Sequence, residues 1–148
     1  MAQVTTHGEP NIRLDKAFQR FTATDAAAND SDKLITVPAA RTWEITNIFV
    51  TMVASATVGN RQMTVIVADP AAVVLANVKA DSVQTASTTE YYSFTPVAGI
   101  AVEAPAGYHY ASFPAFMLDA GSTIRVYDSA AVDAAADDMT VTVSGRAY

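Results

Sequence analysis

The residues of this chain that could act on a substrate are few and scattered. It has two histidines and no cysteine. His7 sits in a polar start and His109 between two tyrosines. Neither has a serine or aspartate at a spacing that implies a triad, and no GxSxG elbow presents a nucleophile. His109 therefore reads as a strand residue. Glu44, Glu90 and Glu103 are far apart, and most other acids fall in apparent turns, so no carboxylate pair for glycoside hydrolysis is legible. Isolated glycines cannot cradle a phosphate. The densest set of oxygen ligands is DSAAVDAAADD, with Asp128, Asp133, Asp137 and Asp138. Calcium takes roughly six to eight oxygens, yet the spacing is not that of an EF-hand and its turn glycine is missing. The competing reading is a solvated loop whose aspartates accept backbone N–H groups. The expectation is a non-enzymatic chain with no cofactor and no metal.

Two aromatic clusters remain, Tyr91, Tyr92, Phe94 and Tyr108, Tyr110, Phe113. They lack the interleaved basic residues of a nucleic-acid stacking surface. Adjacent Tyr91 and Tyr92 must point to opposite faces of a strand, one into the core and one outward. Outward tyrosines serve as interface anchors or as platforms for sugar rings.

The elements that carry these residues are strands. Short runs with β-forming composition are bounded by turn signals: Leu34–Val37 before Pro38, Trp43–Ala54 before Gly59-Asn60, Met63–Val67 before Asp69-Pro70, and Val73–Val78. Further runs are Thr88–Thr95 before Pro96, Tyr108–Phe113, Phe116–Leu118, Thr123–Tyr127 and Met139–Arg146. About eight short strands so spaced predict an all-β, single-domain antiparallel β-sandwich, jelly-roll-like, with a smaller barrel as the alternative. In Trp43–Ala54 the apolar residues fall on both faces: Trp43, Ile45, Phe49 and Val53 on one, Ile48, Val50 and Met52 on the other. Such a strand is central, or one of its faces is covered by a neighbouring subunit.

Residues 1–32 differ and read as an N-terminal arm, extended or partly helical, before a sandwich domain at 33–148. Leu14, Phe18 and Phe21 have the spacing of one helical face, with Asn11 as a possible cap. ATDAAANDSD then reads as a loop or linker. The three apolar anchors either engage a partner or pack back on the same domain.

Composition narrows the function classes. The 148 residues are 51% apolar and 16% charged, enough for one domain with a real core. Without cysteine there is neither a disulfide framework nor a thiolate site. The most apolar stretch, Val65–Val78, is broken by Asp69 and Pro70 and too short to span a bilayer, and the start lacks a secretory pattern. Net charge is −6, yet within residues 1–20 Arg13, Lys16 and Arg20 outweigh Glu9 and Asp15. An acidic body repels phosphates, so nucleic acid is not an expected partner, and neither is a membrane. The basic start suits an acidic surface.

Three stretches together resemble a recurrent family of small tailed-bacteriophage virion structural proteins, often decoration or cement-like. They are LITVPAARTWEITNI (34–48), SATVGNRQMTVIVAD (55–69) and FMLDAGSTIRVYDSAAVDAAADDMTVTV (116–143). The resemblance covers about residues 34 to 146, with RVYDSAAVDAAADD its most specific part. Members often carry glycine after VPA, where this chain has Ala40, and in the hairpin after the second long strand, where it has Pro70, Ala71 and Ala72. The resemblance implies a β-sandwich located in the virion. The expectation is a cement protein on the outer capsid surface, made in the host cytoplasm, that bridges capsomers of the major capsid protein and self-associates as a homotrimer. Arg13, Leu14, Lys16, Phe18, Arg20 and Phe21 would form its capsid or subunit contacts, and Ile48, Val50 and Met52 its subunit interface. The alternatives are a host-glycan-binding tail or fibre module, a head–tail or baseplate component and, last, a depolymerase.

Overall fold

The computed structural model describes residues 18–96 and 106–148. In chain order the strands are β1 (Gln19–Asp25), β2 (Asp32–Thr36), β3 (Trp43–Val53), β4 (Met63–Ala68), β5 (Val74–Lys79), β6 (Thr89–Thr95), β7 (Tyr108–Ser112), β8 (Met117–Leu118), β9 (Thr123–Asp128) and β10 (Asp138–Ala147). There is no helix among the described residues.

Two sheets pack face to face. One runs β1-β10-β3-β6-β7, with the short β8 pairing β3, and the other runs β2-β9-β4-β5. All pairings are antiparallel except β6 with β7. Without β7 and β8 these are the two four-stranded sheets of a jelly roll, in which successive strands cross from one sheet to the other except at the β4–β5 hairpin. Period-2 alternation builds the core: Val141 and Val143 from β10, Ile124 and Val126 from β9, Met63, Val65 and Val67 from β4, and Tyr92 and Phe94 from β6 are all buried.

Two expectations need correction here. Phe18 and Phe21 do not lie on a helix. Phe21 is in β1, which pairs with β10 along its whole length, from Gln19 opposite Ala147 to Asp25 opposite Val141. Phe21 and Ala23 pack on the core, and the Phe21 ring stacks on Trp43 at 4.0 Å. Three apolar residues at i, i+4 and i+7 were too few to fix a period, and β10's free edge decided it. The boundary at residue 32 moves accordingly, because β1 is a jelly-roll strand and the supposed linker begins inside it.

Lys33 ties this strand down. Its side chain is fully buried, its Nζ lying 3.6 Å from Asp25 and 3.4 Å from Asp30 and donating to the Ala27 carbonyl. A buried ammonium is tolerated only with such partners, and here they come from β1 and the β1–β2 turn.

Candidate functional site

The doubly apolar reading of β3 has a local cause. Opposite the Ser144–Gly145 step the register with β10 shifts, so that Ser144 faces Asn47 while Gly145 faces Ile45. Thr46 is the extra residue of a β-bulge. Before it Trp43 and Ile45 point inward; after it Ile48, Val50 and Met52 do, each with 0% exposure. These three lie in the core of the single chain and offer nothing to a neighbour, which corrects their assignment to a subunit interface. Gly145 is obligatory at the bulge, because a Cβ there would overlap the Glu44 carbonyl oxygen.

The bulge leaves the opposite parity facing outward on the larger sheet. Cross-strand register lines up three rows: Thr22, Ser144 and Asn47; then Thr24, Thr142, Phe49, Ser93 and Tyr110; then Thr140, Thr51, Tyr91 and Tyr108. None of these residues is charged. The hydroxyls partly satisfy one another, with Thr24 Oγ1 at 3.2 Å from Thr142 Oγ1 and Ser93 Oγ donating to Asn47 Oδ1 at 2.9 Å. Phe49, Tyr91 and Tyr108 form a stack, with centroids at 6.3 and 4.5 Å and planes within about 20°. Stacked rings cover each other's faces. Tyr91 therefore turns an edge outward, whereas a sugar platform needs an open face. The division of Tyr91 from buried Tyr92 follows the expected alternation.

Charge returns at the corner where the chain enters β1. Arg20 and Arg146 sit opposite each other. Arg146 Nη1 lies 3.4 Å from Glu44 Oε2, and its guanidinium lies 4.9 Å from the ring of Phe18, itself 51% exposed. The expected contact residues Phe18 and Arg20 thus reach this surface, whereas Phe21 is spent on Trp43. Arg13, Leu14 and Lys16 lie outside the described residues.

The aspartate segment is a structural clasp. Asp128 accepts N–H bonds from Gln62 at 2.7 Å, Ala130 at 2.9 Å and Val132 at 3.2 Å. Asp133 accepts the hydroxyls of Ser55 and Thr57, and Asp138 accepts the Asn29 N–H. Asp137 meets Arg61 in a fully buried pair, Nε to Oδ2 at 2.8 Å and Nη2 to Oδ1 at 3.0 Å, and also accepts the Ser55 N–H at 2.7 Å. Burial pushes the Asp137 carboxyl up, but the bonds from Arg61 and Ser55 outweigh it and hold the carboxyl below its ordinary value. The bond to Asp137 in turn raises Arg61. Each carboxylate is engaged by protein donors, and no three acidic or imidazole groups converge as a metal cage among the described residues.

One cluster escaped the sequence reading. His109 Nε2 lies 2.9 Å from Glu90 Oε2, which also accepts the Tyr92 hydroxyl at 3.0 Å, and the His109 ring stacks on Tyr92 at 5.0 Å. Burial, then the neighbouring Glu90 charge, push the Tyr92 hydroxyl far above its ordinary range, so it stays protonated and is a poor nucleophile. The parallel pairing of β6 with β7, which brings Tyr92 beside His109, was the missing information.

No family model matches the chain, and no curated protein matches it. Among solved structures, the chain is similar to one in the structure of infectious bursal disease virus Gx strain, at 11% identity and a TM-score of 0.29. That match covers 87% of this chain and 40% of the other. A likeness so distant fixes neither family nor role.

Proposed function

We propose that this protein is a non-catalytic virion structural protein of a tailed bacteriophage, a decoration (cement) protein on the outer capsid surface. The observation that carries the reading is the outward face of the larger sheet. Its three uncharged rows, the Phe49–Tyr91–Tyr108 stack and the arginine corner form a broad face on a rigid scaffold. Charge-poor, aromatic-rich surface has little desolvation cost when covered, which is the usual make-up of an interface centre. On a capsid lattice many modest contacts of this kind add up through multivalency. The partner in this reading is the major capsid protein, with sister copies joined as a homotrimer. The resemblance of residues 34 to 146 to phage virion proteins supports the same assignment.

The test mixes purified protein with expanded, undecorated capsids and measures bound copies by densitometry. Hundreds of copies per particle are expected, against a dozen or fewer for a head–tail or baseplate component. Tyr91→Ala and Tyr108→Ala should bind at least tenfold more weakly while melting within a few degrees of the parent. Removing residues 1–17, which leaves β1 whole, should also weaken attachment. Full decoration by the tyrosine variants, or absence of the chain from mature particles, would overturn the reading.

A further inference from the structure

We propose that the arginine corner of the larger sheet is an oxyanion-binding site. A depression of about 340 Å³ opens there, lined by Arg20, Thr22, Thr46, Ser144 and Arg146 together with Phe21 and Gly145. Three features of the fold converge on it.

The first is a repulsion the fold does not need. Arg20 and Arg146 are direct cross-strand partners in an antiparallel pair, on a protein of net charge −6. Like charges so placed destabilise a sheet, and an anion between them reverses the sign of that contribution. Glu44 relieves it only in part. It meets a single nitrogen of Arg146 at 3.4 Å and is itself held by the Tyr148 hydroxyl at 3.0 Å. Among the described residues Arg20 has no carboxylate within salt-bridge distance.

The second is the β-bulge. The extra residue at Thr46 breaks the regular ladder beside Ser144, and Thr46 Oγ1 donates to the Ser144 carbonyl at 3.1 Å. Bulges re-aim side chains and open the surface, and this one places a hollow beside both arginines. The Thr22 and Ser144 hydroxyls border the same hollow.

The third is preorganisation. The Phe18 ring lies under the Arg146 guanidinium, and the pairing of β1 with β10 fixes the backbone of Arg20 opposite it. Planar guanidinium donors held in this way suit a carboxylate, sulfate or phosphate better than a flexible ammonium does. The shared chemistry is an oxyanion taken between two guanidiniums and neighbouring hydroxyls. Its source is either a free ion or an acidic side chain of the capsid partner, and the latter rests on the reading above.

The experiment titrates inorganic sulfate into the full chain at constant ionic strength and follows backbone amide resonances. Saturable shifts at Thr22, Thr46, Ser144 and Gly145 are expected, with a midpoint on the order of 1–10 mM. Arg20→Gln and Arg146→Gln should each raise that midpoint at least fivefold, and Arg20→Lys should raise it less. Unchanged resonances of Trp43 would show that the variants fold. Linear shifts, shifts spread equally to Arg41 and Arg125, or undiminished binding by the glutamine variants would overturn the site. A second arm adds sulfate to the capsid-binding assay. Competition there assigns the natural anion to the partner's acidic side chains, and saturable binding without competition leaves a free-ion site and removes the partner's role.

Discussion

Asp137→Ala takes from a sealed interior the carboxylate that balances Arg61. The parent side chains are both 0% exposed, and three hydrogen bonds converge on that carboxylate, two from Arg61 and one from the Ser55 N–H. In the variant Arg61 keeps the Gly59 and Thr57 carbonyls and the Ser55 hydroxyl, at 3.0, 3.1 and 3.0 Å, but no countercharge among its direct bonds. Breaking a buried pair from one side costs about 3–5 kcal/mol, a large share of the roughly 5–15 kcal/mol that holds a domain folded. For 148 residues each kcal/mol moves the midpoint by about 3 °C, so the melting temperature should fall by about 10–15 °C. Urea unfolding should give a lower midpoint with an unchanged slope. The paired replacement Arg61→Met with Asp137→Leu removes both charges and should recover most of the loss. A single-variant loss under about 1 kcal/mol, or a double variant no better than the single, would refute the claim that this pair closes the clasp.

The same pair sets a pH dependence. The Asp137 carboxyl is held below its unfolded value of about 3.9, so its contribution is complete above that value and is lost as pH falls through the lower folded value. Melting curves between pH 2 and 6 should therefore show a steeper acid limb in the parent than in the Arg61→Met/Asp137→Leu protein. Phe21→Ala should cost about 2–3 kcal/mol, because the ring stacks on the core residue Trp43, the sole tryptophan, whose fluorescence reports the change. Stability equal to the parent's would restore a detachable arm. Ala40 and Ala72 hold left-handed backbone, with φ of 58° and 63°. Glycine at either position should raise stability by about 0.5–1 kcal/mol, the relief of left-handed strain less glycine's extra chain entropy, as read by urea midpoints.

Much of the architecture was legible because short-range signals carry it. β2 to β10 fall where alternation and turn residues place them, and Tyr91 and Tyr92 divide between surface and core as strand parity demands. Ala40 and Ala72 occupy left-handed backbone that glycine prefers. Pairing across the fold was not legible, because it depends on which edges are left open once the strands have formed. The free edge of β10 drew Phe21 into a strand, one extra residue at Thr46 turned Ile48, Val50 and Met52 from a supposed interface into core, and a parallel β6–β7 contact joined His109 to Glu90. The amino-acid order by itself determined an alternating, cysteine-free β chain with two histidines. Only the tertiary structure decided which face is open and where two arginines meet, because register and bulges are settled by hydrogen bonds between residues about a hundred or more positions apart.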